Sequence, residues 1–283
     1  MSSPLNLLRK YGIRPRKRLG QCFLCDPNIL EKIVRIAEVR ETDTVVEIGS
    51  GIGVLTAMIA RRARRVVAVE VDRFLVEVLQ KELGDFTNVE IVQTDVLQFD
   101  FSSVCPDAGP GGQRERIQVI GNVPYNISSQ IVLRLLGYRD CLDRVVLMLQ
   151  REVAERLAAP PGTKDYGPLS VYVALYTEAS LEMKVPAGCF HPRPDVESRV
   201  IRLDVRKEPL CRVDDVAFFQ RLVRTSFSKR RKTLLNNLKT SELPVTGDQI
   251  SSALSALGID GVRRAETLSV HEFAALSNFL GKA

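Results

Sequence analysis

An alternation restricts the fold of this chain more than any other feature. Short apolar runs occur at Thr44–Ile48, Val66–Glu70, Val89–Gln93, Ile117–Gly121 and Val145–Leu149. Stretches of helical character lie near 53–62, 73–83, 128–137 and 151–158. Strand-length runs alternating with helices are the signature of βαβ units, so a mainly parallel sheet is expected. Ahead of it, Asp26-Pro27 reads as an N-cap followed by proline at the first helical position. Leu30, Ile33, Val34 and Ala37 then recur at helical spacing. Pro/Gly-rich loops are expected near 105–116 and 159–168. A last pair of runs, about Ala174–Val185 and Arg199–Val205, suits an antiparallel hairpin closing the sheet.

Beyond about Lys207 the strand signals stop. Val216, Phe219, Leu222, Val223 and Phe227 form one helical stripe, with Asp214 and Asp215 at its positive end. Ile250, Ala253, Leu254 and Leu257 form another, stopped by Gly258. Ser269-x-x-Glu272 reads as a capping box ahead of Phe273, Leu276 and Leu280. The expected organisation is an α/β domain over 1–206, with a basic N-terminal arm, followed by an all-helical domain over 207–283.

Charge is distributed unevenly. Residues 1–20 carry Arg9, Lys10, Arg14, Arg16, Lys17 and Arg18 without an acid. From Lys207 onward 12 basic residues face 8 acidic ones, which leaves 22 basic against 26 acidic between these ends. Two basic ends around a mildly acidic body suit an anionic polymer contacted at separate places. No apolar run approaches the ~20 residues of a membrane span, and the basic start has no secretory pattern. A cytoplasmic protein is expected. Only Cys22 and Cys25 of the six cysteines form a C-x-x-C pair, and His191 and His271 complete no zinc set. No metal is expected, and the thiols are read as reduced.

The segment Val45-Val46-Glu47-Ile48-Gly49-Ser50-Gly51-Ile52-Gly53 runs a strand into closely spaced glycines. Such a turn lets a ligand approach the backbone. A dinucleotide fingerprint needs glycine at 54, where this chain has Val, which disfavours a nicotinamide dehydrogenase. Glu70 ends the second strand, where a carboxylate can accept both hydroxyls of a ribose. Asp95 follows the third, where it can take the amino group of an adenine. With Glu47, three acids beside one glycine loop suit a cationic nucleoside better than a pyrophosphate.

Gly121-Asn122-Val123-Pro124-Tyr125-Asn126-Ile127-Ser128 follows the fourth strand. It resembles the Asn-x-Pro-Tyr motif of adenine-N6 methyltransferases that use S-adenosylmethionine. The target amine is a poor nucleophile because its lone pair is delocalised into the purine. The Asn122 side-chain oxygen and the Val123 carbonyl can accept its N–H bonds and turn the lone pair toward the methyl group. Pro124 holds the turn, and Tyr125 can stack on the flipped base.

The likeness extends along nearly the whole chain. Gly20-Gln21-Cys22-Phe23-Leu24, Phe190-His191-Pro192-Arg193-Pro194-Asp195-Val196-Glu197-Ser198 and Phe227-Ser228-Lys229-Arg230-Arg231-Lys232-Thr233-Leu234 resemble segments of the bacterial small-subunit rRNA adenine dimethyltransferases. The resemblance implies a class I methyltransferase domain, Rossmann-like, with seven strands and the last antiparallel, plus a small helical domain. It implies dimethylation at N6 of two adjacent adenosines in the 3′-terminal hairpin of small-subunit rRNA, in a precursor subunit, by a monomer using S-adenosylmethionine.

Carried over by position, cofactor contacts fall on Cys22, Leu24, Gly49, Glu70, Asp95 and Asn122, beside Glu47 and Gly51 of the same loop. Phe190 becomes a second aromatic wall for the base. Arg16, Lys17, Arg18, Arg230, Arg231 and Lys232 are the expected RNA contacts. Arg61, Arg62, Arg64 and Arg65 are read as solvated helix-end charge. Ser50 stands where the family commonly has proline, and Cys22 where it has an amide or imidazole. The rival readings are a large-subunit rRNA methyltransferase of the macrolide-resistance type and a non-catalytic assembly factor. The Gly20–Leu24 opening and the Arg230–Leu238 stretch favour the small-subunit enzyme.

Overall fold

The computed structural model describes residues 3–105 and 116–281, so nearly all of the loop expected at 105–116 lies outside the described residues. Helix α1 (Pro4–Lys10) precedes the short strand β1 (Phe23–Leu24) and α2 (Pro27–Ala37). The alternating region follows as β2 (Thr44–Ile48), α3 (Val54–Ala60), β3 (Arg65–Glu70), α4 (Arg73–Glu82), β4 (Val89–Gln93), β5 (Ile117–Asn122), α5 (Ser128–Gly137), β6 (Leu142–Gln150) and α6 (Arg151–Leu157). Then come α7 (Pro168–Tyr176), β7 (Thr177–Val185), β8 (Phe190–His191) and β9 (Ser198–Val205). The C-terminal helices are α8 (Val216–Ser226), α9 (Leu234–Lys239), α10 (Gly247–Ala256) and α11 (Val270–Leu280).

Seven described strands form one sheet in the order β4-β3-β2-β5-β6-β9-β7. From β4 to β6 neighbours are parallel, and β9 enters antiparallel to β6. This is the seven-stranded Rossmann-like sheet with an antiparallel strand that the resemblance implied. All five residues of β2 are buried, because helices cover both faces of a parallel sheet. Helix α2 starts as expected: the Asp26 carboxylate accepts from the amides of Asn28 and Ile29, with Pro27 next. Its buried face of Ile29, Leu30, Ile33, Val34 and Ala37 gains roughly 1.5–3 kcal/mol for each large side chain removed from water. At its C-terminus Arg144 donates to the Ala37 carbonyl at 2.8 Å and Arg202 to that of Ile36 at 3.3 Å. These bonds tie α2 to β6 and β9.

Two features depart from the sequence reading. The run expected as strand from Ala174 is helix through Tyr176, and β7 begins at Thr177. Pro168 at the first helical position starts α7, and the helix is buried nearly all round. No 3.6-residue stripe therefore distinguished it from a buried strand. The second departure concerns the domains. The chain divides into one compact unit of Met1–Ala154 with Glu178–Val205, and another of Glu155–Thr177 with Arg206–Ala283. The excursion 155–177 joins the helical unit because its aromatics belong there. Tyr166 packs against Phe227 at 6.0 Å, Tyr172 against Phe219 at 6.3 Å, and the Tyr172 hydroxyl donates to the Gln220 carbonyl at 2.9 Å. Within that unit, Asp215 caps α8 and Ser269 with Glu272 forms the expected capping box of α11.

Candidate active site

The ends of β2, β3 and β5 meet where the strand order turns back on itself, with β3 on one side of β2 and β5 on the other. In open α/β sheets ligands bind outside the carboxyl ends of the strands at that switch point. A pocket there is bounded by Gly49 and Gly51 of the loop after β2, Glu70 of β3, Asp95 after β4, and Asn122 and Tyr125 after β5. Gly51 has φ +57°, and a Cβ on it would stand 3.3 Å from the Phe23 ring. Glycine is needed there for both conformation and space. At Gly121 an added Cβ would lie 2.8 Å from the Ile48 carbonyl oxygen, so its absence lets Asn122 come up beside the loop.

The Glu70 carboxylate is held by main chain alone. One oxygen accepts from Gly51 N–H at 2.9 Å, the other from Val71 and Asp72 N–H, each at 2.9 Å. Burial pushes its pKa up and these three donors pull it back. Two carboxylate oxygens offer about four acceptor sites, so with three main-chain donors about one remains for a ligand hydroxyl. Asp95 accepts from Leu97 N–H at 2.9 Å and is half-buried.

Glu47 behaves differently. It is 2% exposed, and burial pushes its carboxyl up to about 8, against the opposing pull of the Thr56 and Ser50 hydroxyls nearby. None of Glu47 Oε2, Ser50 Oγ and Thr56 Oγ1 has a hydrogen-bond partner. With Leu24, Gly49 and Asn122, Glu47 and Ser50 line a small cavity adjoining the main pocket. A buried acid with one oxygen left unbonded beside a cavity is what a cationic ligand would satisfy.

The Asn122 side chain is oriented from an unexpected direction. Its Nδ2 donates to the main-chain carbonyl of Cys22 at 2.8 Å. A carbonyl oxygen only accepts, so the amide nitrogen must face it, and Oδ1 is left as an acceptor. The Cys22 thiol is half-buried and its pKa is raised, by burial first and the Asp195 carboxylate second. Tyr125 also lines the pocket, and its hydroxyl is bonded to Ser198 Oγ at 2.6 Å. Ser198, at the start of β9, is 1% exposed.

Most of the expected residues are brought together. Cys22, Gly49, Gly51, Glu70, Asp95, Asn122, Val123, Pro124 and Tyr125 line the main pocket, while Leu24 and Glu47 line the adjoining cavity. Phe190 is not brought to either. It pairs with Leu24 across the two-residue β1–β8 ladder, is 5% exposed and packs in the core.

Among the expected RNA contacts, Arg16 forms an ion pair with Asp72 at 2.9 Å, and the Lys17 side chain lies outside the described residues. Arg18, Arg230, Arg231 and Lys232 are exposed, the last three in the turn between α8 and α9. Arg62 and Arg65 pair with Glu31 and Glu90, as suits surface charge.

Two contributors were missed. Ser198 was visible only as the last residue of a motif, with nothing to mark it as the Tyr125 partner. Asp72 caps α4 and also holds Arg16 and the Gln21 amide, both near 2.9 Å. Its place just ahead of a helix suggested the cap, but its remote partners left no local signal. Among the described residues no cluster of His, Cys, Asp or Glu is disposed to hold a metal ion.

A family model for ribosomal RNA adenine dimethylase matches residues 12–282. The chain belongs to that family. It is 44% identical over 275 residues to ribosomal RNA small subunit methyltransferase A of Syntrophus aciditrophicus, covering 97% of each chain. Among solved structures, a dimethyladenosine transferase from Plasmodium falciparum matches with TM-score 0.78 and 25% identity, over 91% of this chain and 96% of that one. The 23S rRNA methyltransferase ErmE matches with TM-score 0.68 and 27% identity, over 92% of this chain and 99% of its own. As a ribosomal RNA adenine dimethylase, the chain is a methyltransferase, and the pocket at the switch point is where its family chemistry is expected.

Proposed function

We propose that this protein transfers methyl groups from S-adenosylmethionine to N6 of two adjacent adenosines in the 3′-terminal hairpin of small-subunit rRNA. The observation that carries the reading is the fixed Asn122 amide, whose nitrogen is held by Cys22 and whose oxygen is left as an acceptor on a residue lining the pocket with Tyr125, Glu70 and Asp95. The pocket fits the cofactor. A glycine loop admits close approach, Glu70 and Asp95 offer acceptors for a nucleoside, and the unbonded Oε2 of buried Glu47 suits a positively charged group. When bound, S-adenosylmethionine supplies an electrophilic methyl group.

The protein's part is to bind and orient. Asn122 Oδ1, with the Val123 carbonyl, accepts the target N–H bonds and aims the nitrogen lone pair. Tyr125 gives the extracted base a stacking surface, and Ser198 fixes that ring. Such positioning lowers the barrier without a strong base. The exposed turn at Arg230–Lys232 supplies phosphate contacts from the helical unit. Acting on a precursor subunit places this work in the cytoplasm, and no described helix is long and apolar enough to cross a membrane.

The 44% likeness over nearly the full length to a small-subunit enzyme supports that substrate over the large-subunit type represented by ErmE. Methyl transfer to purified, undermethylated small subunits, with large subunits as control, tests the assignment. Label is expected on small-subunit rRNA, and label on large subunits alone would overturn it.

A further inference from the structure

The six basic residues of the N-terminal segment have different fates. Lys10 is paired with Glu82 at 2.6 Å and Arg16 with Asp72 at 2.9 Å. Arg9 and Arg14 are exposed, and no acid stands within ion-pair distance of either guanidinium among the described residues. Both line one groove of about 380 Å³, together with His191. Its floor is made by Leu8 and Ile13, which are 5% and 9% exposed. No acidic residue lines it.

The groove is built rather than incidental. Ser3 caps α1, and Leu7 and Leu8 bury its inner face in the core. After the helix, Gly12 N–H donates to the Arg9 carbonyl at 3.1 Å and Ile13 N–H to that of Leu8 at 2.9 Å. These bonds set Arg9 and Arg14 on either side of a fixed turn. His191 comes from the other side, on β8, where it stands opposite Phe23. Phe23 in turn lines the pocket that holds Asn122 and Tyr125. One ladder pair, Phe23 and His191, therefore links the lining of the groove to the lining of the pocket.

We infer that the Arg9–Arg14–His191 groove binds a phosphate of the RNA strand flanking the target adenosine. Resting on the function proposed above, it adds a contact on the methyltransferase unit, beside the pocket. Two unpaired guanidinium forks over an apolar floor match a phosphodiester, which accepts bidentate N–H bonds and carries the charge the groove lacks. An imidazole N–H adds a third donor. A strand that delivers a base to Tyr125 must run its backbone past the pocket rim, and a basic groove there tracks it.

The test compares two pairs of substitutions that remove equal charge. Arg9→Gln with Arg14→Gln alters the groove. Arg35→Gln with Arg61→Gln alters exposed arginines elsewhere on the same unit. Affinity for undermethylated small subunits is measured across a salt series. The groove pair is expected to flatten the plot of log Kd against log salt by about 1 for each phosphate no longer neutralised. The control pair is expected to match wild type, and Arg9→Lys with Arg14→Lys to retain the slope. Should the Gln pair melt early, the single variants carry the comparison, each with about half the change. Equal slopes for the groove and control pairs overturn the inference. Wild-type protein that binds only large subunits overturns the substrate reading instead, and the same pairs then decide the groove on that RNA. Binding to neither subunit overturns both.

Discussion

The Asn122 amide nitrogen donates to the main-chain carbonyl of Cys22 across 100 residues of sequence, at 2.8 Å. This bond joins the segment before β1 to the end of β5, and decides which end of the amide can meet a substrate. It also resolves what the departure at Cys22 means for Asn122. Any residue at 22 presents the same carbonyl, so the cysteine side chain is free to vary without disturbing the acceptor.

Asn122 and Cys22 should therefore respond very differently to substitution. Asn122→Ala removes both the acceptor and the donor that fixes it, and Asn122→Asp keeps acceptor oxygens but loses that donor. Each is expected to slow methyl transfer on the order of a hundredfold or more in single turnover, the scale of a misplaced reacting group. Cys22→Ala should stay within about threefold of wild type, because its thiol makes no hydrogen bond worth about 1 kcal/mol. A Cys22→Ala protein as slow as Asn122→Ala would show that the thiol, not the carbonyl, matters.

Tyr125 and Ser198 form a pair whose energetics a double-mutant cycle can isolate. Tyr125→Ala should cost about 1–3 kcal/mol in transfer through lost stacking. Tyr125→Phe keeps the ring but leaves the Ser198 hydroxyl buried without its partner, and Ser198→Ala strands the phenol in the same way. The two single costs should sum to more than the cost of Tyr125→Phe/Ser198→Ala, with a coupling of about 0.5–1.5 kcal/mol. Additive effects on single-turnover rate would mean that Ser198 does not hold the ring.

How much of this was legible beforehand follows from the physics of each residue. The central strands β2, β3 and β5 were readable because strands covered on both faces are almost continuously apolar, and edge strand β4 because its apolar run is bounded by turn residues. The caps at Asp26, Asp215 and Ser269 were readable because they act within three residues. Helix α7 was not, since burial on every side removes periodicity. The β1–β8 ladder is two residues long and has no pattern to detect. The acids Glu47, Glu70 and Asp95 could be placed from strand ends, but the state of Glu47 depends on burial that only packing creates. Arg16 looked like a free cation because its partner Asp72 lies 56 residues away.

That pairing changes what the basic residues should do. Arg16→Gln is expected to leave the salt dependence of RNA binding close to wild type, while Arg230→Gln with Arg231→Gln should flatten it by about 1 for each phosphate left without its cation. Asp72→Ala removes both the α4 cap and the anchor for Arg16 and Gln21, and should destabilise the fold by about 1–3 kcal/mol. Denaturant unfolding measures the second effect. A steep loss of salt slope in Arg16→Gln would return that residue to the RNA interface.

Glu47 gives a prediction with a definite sign. Burial raises its carboxyl from 4.5 to about 8 in the unliganded fold. Below about pH 4.5 both folded and unfolded chains hold the proton, and the group does not oppose folding. Between that pH and about 8 the unfolded chain releases the proton while the folded chain keeps it, so stability falls as pH rises through this window. Glu47→Gln has no proton to release. Its melting temperature, measured without cofactor, should match wild type near pH 4.5 and exceed it increasingly toward pH 8. The corresponding gain in unfolding free energy near pH 8 is expected to be on the order of a few kcal/mol. The same variant should bind S-adenosylmethionine more weakly at pH 8, because the carboxylate that would face the cation is gone. Stability curves that run parallel from pH 4.5 to 8 would mean that Glu47 titrates normally and that its cavity admits water.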